Sequence, residues 1–89
     1  MKIIKKLKVK NSLGLHVRPA AVIVKILQNV DSKVEFTYQN ETVNAKSIMS
    51  ILMLAAKKNS RILVTAEGKD AKEVVAKLAI AFDEQFGET

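Results

Sequence analysis

The sequence predicts an α+β fold of order βαββαβα, a single sheet with three helices packed on one face. Three observations predict it. "KVEFTY" and "RILVTAEG" alternate apolar and polar residues with the period of half-buried strands. Two other stretches repeat apolar residues at helical spacing, with a short apolar segment between them that also reads as a helix. The chain has 89 residues, 48% of them apolar, which suits one domain over residues 1–89 with one core and two layers.

The first strand is "KIIKKLKV", Lys2 to Val9, with imperfect alternation. Five lysines fall in the first ten residues, and their place is the outer face of an edge strand, where lysine also discourages edge pairing. From Val17 to about Gln28 the apolar residues Ala20, Ala21, Ile23, Val24 and Leu27 mark a helix. "NVDS" is a turn. "KVEFTY" puts Val34, Phe36 and Tyr38 on one face and leads through "QN" into the short strand "ETVNA" as a hairpin. Ser47 to about Lys57 is the short apolar helix. The last strand is "RILVTAEG", with Ile62, Val64 and Ala66 facing one way. Asp70 to about Phe86 closes the chain as a helix with Val74, Val75, Leu78, Ala81 and Phe82 on its apolar stripe.

Composition narrows the chemistry. The chain has no cysteine, which excludes disulfides, thiolate metal sites and a cysteine nucleophile. No apolar run is long enough for a signal-peptide core or a membrane span, so the expectation is a soluble, cytoplasmic, untargeted protein without membrane insertion. A net charge of +6 admits a basic surface that steers an acidic protein partner. Nucleic-acid binding fares worse, because only Phe36 and Tyr38 among four aromatics lie on a strand, within the alternation of a core face.

The helix starts differ in their electrostatics. "DAKE" offers Asp70 as an N-cap and Glu73 as its capping-box partner, acids at the positive end of the helix dipole. "HVRPA" does the reverse. With His16 near the N-cap, Val17, Arg18 and Pro19 fill the first turn, and no acid accompanies them. Pro19 costs no hydrogen bond there. Arg18 at the dipole's positive end costs about 0.3–1 kcal/mol. Free N–H groups of Val17 and Arg18, the dipole and a guanidinium together make a site for an anion, phosphate above all. The bland alternative leaves Arg18 pointing into water and His16 as a surface or capping residue. The dipole and Arg18 both disfavour imidazolium, however, and neutral imidazole is the nucleophilic form. No second histidine or cysteine offers a metal set, so neither metal nor cofactor is expected. In "KSIMS", Ser47 is a plausible N-cap. Behind it, Ile48, Met49 and Leu52 are core residues or an exposed patch for docking partners.

"GLHVRPA" (Gly14 to Ala20), followed some thirty residues on by "KSIMS" (Lys46 to Ser50), resembles the histidine-containing phosphocarrier family, HPr, of the bacterial sugar phosphotransferase system. The resemblance spans nearly the whole chain. It implies an open-faced sandwich with a four-stranded antiparallel sheet of order 1-4-2-3. It implies that His16 accepts a phosphoryl group on Nδ1 from phosphorylated enzyme I, charged by phosphoenolpyruvate, and passes it to an enzyme II A component. Such a protein is a relay in phosphotransfer rather than a free-standing catalyst. Arg18 matches the arginine that positions the phosphate. Ser47 matches the serine that an ATP-dependent HPr kinase/phosphatase modifies in some bacteria, and Ile48, Met49 and Leu52 match the apolar docking surface. Nothing in the sequence signals an obligate oligomer, so a monomer is expected.

The chain departs from the family's pattern at three places. Val17 stands where alanine or threonine is common, and Ser50 and Ala55 stand where glycines are common, which predicts a more regular middle helix. The alternative function is a nitrogen-branch paralogue or a regulatory binding module of the same fold.

Overall fold

The structure, a computed structural model, describes residues 1–88. Its elements are β1 (Lys2–Lys8), α1 (Val17–Leu27), β2 (Lys33–Tyr38), β3 (Glu41–Asn44), α2 (Ile48–Met53), β4 (Arg61–Glu67) and α3 (Ala71–Asp83), with a closing 3₁₀ turn at Gln85–Gly87. The four strands form one antiparallel sheet in the order β1-β4-β2-β3. The three helices lie on one face, so the fold is the α+β open-faced sandwich expected from the sequence.

Alternation fixes the register. Leu7 stands opposite Ile62, and Phe36 opposite Val64, so the apolar rows of β1, β4 and β2 fall on the same side. Under the helices Val34, Phe36, Ile62, Val64 and Ala66 are fully buried against Ile23, Leu27, Val74, Leu78 and Phe82. Each such large side chain contributes about 1.5–3 kcal/mol on burial. Phe82 joins the layers, its ring edge-on to Phe36 at 6.0 Å and to Phe86 at 4.9 Å between centroids. Phe36 is therefore a core residue and not a stacking surface on the open face of the sheet. Gln39 and Asn40, both at positive φ, form the two-residue turn of the β2–β3 hairpin, the backbone hand that matches strand twist. Along β1, an edge strand, all the lysines are exposed.

Four local expectations are corrected. Ala21 is exposed, and Pro19 takes its place on the buried face of α1. The middle helix, expected to run to about Lys57, ends at Met53. Ala55 there adopts φ +51, the left-handed conformation in which helices terminate, so an alanine does what the commoner glycine does at lower cost. The last helix, expected to reach Phe86, stops at Asp83, and Gln85 and Phe86 both take φ +56 so that Phe86 folds back into the core.

The fourth correction is the capping box. Asp70 occupies the N-cap position of α3 but makes no side-chain cap. Its carboxylate instead accepts hydrogen bonds from the backbone N–H groups of Asp31 and Ser32, each at 2.9 Å, and from the Ser32 hydroxyl. The Ser32 hydroxyl, then the Asp31 N–H, hold the Asp70 carboxyl below its ordinary value. Gly68 makes this approach possible, because a Cβ there would lie 2.7 Å from the Ser32 Cα. The clasp ties the start of α3 to the start of β2.

Candidate functional site

The loop between β1 and α1 is pinned before the helix begins. Asn11 is buried, 1% exposed, and its side-chain amide donates to the Gly14 carbonyl at 2.7 Å. Gly14 has φ +70 and sits so close to the α2–β4 connection that a Cβ would come within 2.9 Å of the Lys57 Cα and nearer still to the Ala56 carbonyl. Leu15, buried, donates its N–H to that same Ala56 carbonyl at 2.9 Å. His16 follows in extended backbone, φ −81 and ψ −169, as the N-cap of α1.

His16 accepts the first helical bond on its carbonyl, from Ala20 at 3.0 Å, but its ring does not cap the helix. The first turn contains no acidic residue. The N–H groups of Val17 and Arg18 thus have no intrahelical partner, and Pro19 has no N–H to satisfy. Arg18 is exposed and forms no ion pair among the described residues. Of the residues the sequence singles out, His16, Val17 and Arg18 therefore converge at one helix start that is open to an anion.

Two residues that the sequence reading missed complete the site. Glu88 folds back so that its carboxylate oxygens lie 3.0 and 2.8 Å from His16 Nε2. Asn11 donates its second amide hydrogen to the same carboxylate, to Oε1 at 3.0 Å. The hydrogen bond with His16 is the main cause of a Glu88 carboxyl held below its ordinary value, against partial desolvation, with Asn11 and the charges of His16 and Arg18 adding to it. Glu88 lies 72 residues from His16, so no local pattern could announce it. The signal for Asn11 is faint, a small polar residue just ahead of a glycine turn.

Ser47 and the apolar residues sit on α2, which packs against α1. Ser47 is the N-cap, its hydroxyl accepting from the Ser50 N–H at 3.3 Å. Met49 is 69% exposed and Ile48 37%, whereas Leu52 is half-buried and packs on the core. Met53, Leu13 and Val17 are also large apolar side chains left in water. Among the described residues no group of acidic, histidine or cysteine side chains is arranged to hold a metal ion, and no helix is long and apolar enough to cross a membrane.

The helix start can now be set beside known proteins. The family model described as "PTS HPr component phosphorylation site" matches residues 3–84. The chain belongs to the HPr family. It is 51% identical over 80 residues to the phosphocarrier protein HPr of Chlamydia pneumoniae, covering 90% of this chain and 74% of that one. It is 36% identical to part of the multiphosphoryl transfer protein of Vibrio cholerae, spanning 91% of this chain and 21% of that much longer one. Among solved structures, HPr-C-His from Thermoanaerobacter tengcongensis superposes with a TM-score of 0.93 at 34% identity, covering 98% of each chain. Membership in the HPr family makes this a phosphocarrier of the phosphotransferase system.

Proposed function

We propose that His16 accepts a phosphoryl group on Nδ1 from phosphorylated enzyme I and passes it to an enzyme II A component in the cytoplasm. The observation that carries this reading is the helix start itself: a histidine at the N-cap, no acid in the first turn, and backbone N–H groups and Arg18 beside it. The lone pair of Nδ1 attacks phosphorus while the donor leaves with the electron pair of its own bond to phosphorus. The Val17 and Arg18 N–H groups and the Arg18 guanidinium then hold the phosphoryl oxygens. The cradle is open and shallow. That suits a carrier, which must hold the group in transit without making its onward transfer uphill.

Partners dock on the exposed apolar side chains beside the site, Met49 and Ile48 foremost, with the half-buried Leu52 and the exposed side chains of Leu13, Val17 and Met53 adding to the apolar surface. A serine kinase acting on Ser47 would place nearly two negative charges next to that patch and penalise docking by desolvation and repulsion. The carrier acts as a monomer in this scheme.

The test is incubation with phosphoenolpyruvate, magnesium and a bacterial enzyme I, read by intact mass for the wild type and His16→Ala. The expected result is an acid-labile, phosphate-sized gain in the wild type only. No gain with either a sugar-branch or a nitrogen-branch enzyme I would overturn the proposal in favour of a binding module.

A further inference from the structure

Asn11 and Glu88 form a connected path to the His16 ring. Asn11 is buried, and both hydrogens of its amide are committed, one to the Gly14 carbonyl and one to Glu88. Glu88 in turn faces Nε2 of His16 with both carboxylate oxygens. An ionised carboxylate can only accept, so the hydrogen of that contact must sit on Nε2. A neutral imidazole carries one N–H, which leaves Nδ1 with its lone pair.

We propose that Asn11 and Glu88 are positioning residues that hold His16 with its proton on Nε2 and so select Nδ1 as the phosphoryl acceptor. The inference rests on the phosphocarrier role proposed above and assigns a part to residues outside its cradle. Its chemistry follows from the electron count. When the Nδ1 lone pair forms the N–P bond, Nε2 keeps its hydrogen and the ring becomes cationic. The Glu88 carboxylate at 2.8–3.0 Å balances that charge. On transfer onward the N–P electron pair returns to Nδ1, and the group that leaves is neutral imidazole with Nε2 still protonated. Without a hydrogen on Nε2 the leaving group would be imidazolate, a far worse one. The carboxylate therefore assists acceptance and donation alike, as a buried acid orients and supports the histidine of a hydrolase triad.

The experiment uses Glu88→Gln, which keeps an acceptor oxygen and removes the charge, and Glu88→Ala, which removes both. Nitrogen-15 NMR of the free protein reads the His16 tautomer without any partner. The expected result is a protected Nε2–H in the wild type and Glu88→Gln, and loss of protection with a visible Nδ1–H population in Glu88→Ala. With phosphoenolpyruvate and enzyme I, both variants should show the turnover number reduced by about tenfold, as expected when a charged acceptor is lost. The KM for the carrier should stay unchanged, and the thermal midpoint should fall only by the small contribution of the lost Glu88 carboxylate. A tautomer and an Nε2–H protection identical in the wild type and Glu88→Ala would overturn the proposal, as would a turnover number unaffected by Glu88→Gln. Failure of the phosphocarrier reading itself would look different: enzyme I would leave the wild type unmodified, while the tautomer experiment would still decide the role of Glu88.

Discussion

Replacing Ala55 with glycine should stabilise this protein, against the usual sense of an alanine-to-glycine change. Ala55 follows the last turn of α2 with φ +51, and its N–H donates to the Leu52 carbonyl at 3.0 Å, so the residue is held in the left-handed region by the helix end. A non-glycine residue there costs about 1–2 kcal/mol. Glycine would relieve that cost and add about 0.5–1 kcal/mol of unfolded-state entropy to be lost on folding. The Ala55 methyl is exposed, so its removal forfeits little burial. The net gain is about 0.5–1 kcal/mol, an upward shift of about 3–6 °C in the thermal midpoint for a domain of this size. Ala76 gives the control. It is exposed on α3, inside a regular helix, and Ala76→Gly should cost about 1 kcal/mol. Urea unfolding of the wild type and both variants, with slope and midpoint fitted together, measures the difference. Two shifts in the same direction would refute the argument from backbone strain.

The site and the clasp make further predictions. Gly14→Ala should lose at least about 2 kcal/mol of stability, from the positive φ and the collision with the Ala56 carbonyl, and should slow phosphoryl acceptance by displacing His16; calorimetry and the intact-mass assay measure the two effects. Asp70 and Glu88 both have carboxyls held below their ordinary values by the hydrogen bonds they accept, so each adds stability above its ordinary value that disappears as pH falls through the lower folded-state value. Asp70→Asn should accordingly flatten the fall of the thermal midpoint under acid, and an unchanged acid profile would remove Asp70 from the account. Ser47→Asp should raise the KM for enzyme I while keeping the thermal midpoint, because aspartate is as good an N-cap as serine. Met49→Glu should do the same without touching the turnover number, and a lost turnover number would place Met49 nearer the chemistry than the exposed patch allows.

What could be read from the chain follows the range of each interaction. Strand alternation in "KVEFTY" and "RILVTAEG" is local, and it gave the buried rows Val34–Phe36 and Ile62–Val64–Ala66 directly. The helix start at His16, Val17 and Arg18 is local too: an N-cap histidine and a first turn without acid are both visible in seven residues. The helix ends were less legible. Nothing about alanine announces a left-handed residue, so the stop at Ala55 depends on the tertiary position of the Ala56 carbonyl, which must meet Leu15.

The two acids show the limit most clearly. Asp70 has the local pattern of a cap, three residues ahead of Glu73, yet three donors from the β2 entry outbid the single N–H that a cap would offer, and the carboxylate turns to them. Glu88 has no local pattern at all, and it meets His16 only because Gln85 and Phe86 reverse the chain and bury Phe86 against Phe82. In both cases a carboxylate at a chain reversal joins segments far apart in sequence. The first turn of α1 carries no acid of its own, while Glu88 approaches the histidine through Nε2. On the phosphocarrier role proposed above, charge around the ring would be divided between its two nitrogens: cationic and N–H groups at the helix start for the phosphoryl oxygens, and the Glu88 carboxylate at Nε2 for the cationic ring. The approach of Glu88 requires the segment after α3 to return to the loop ahead of α1, and the aromatic contact of Phe86 with Phe82 is what holds it there.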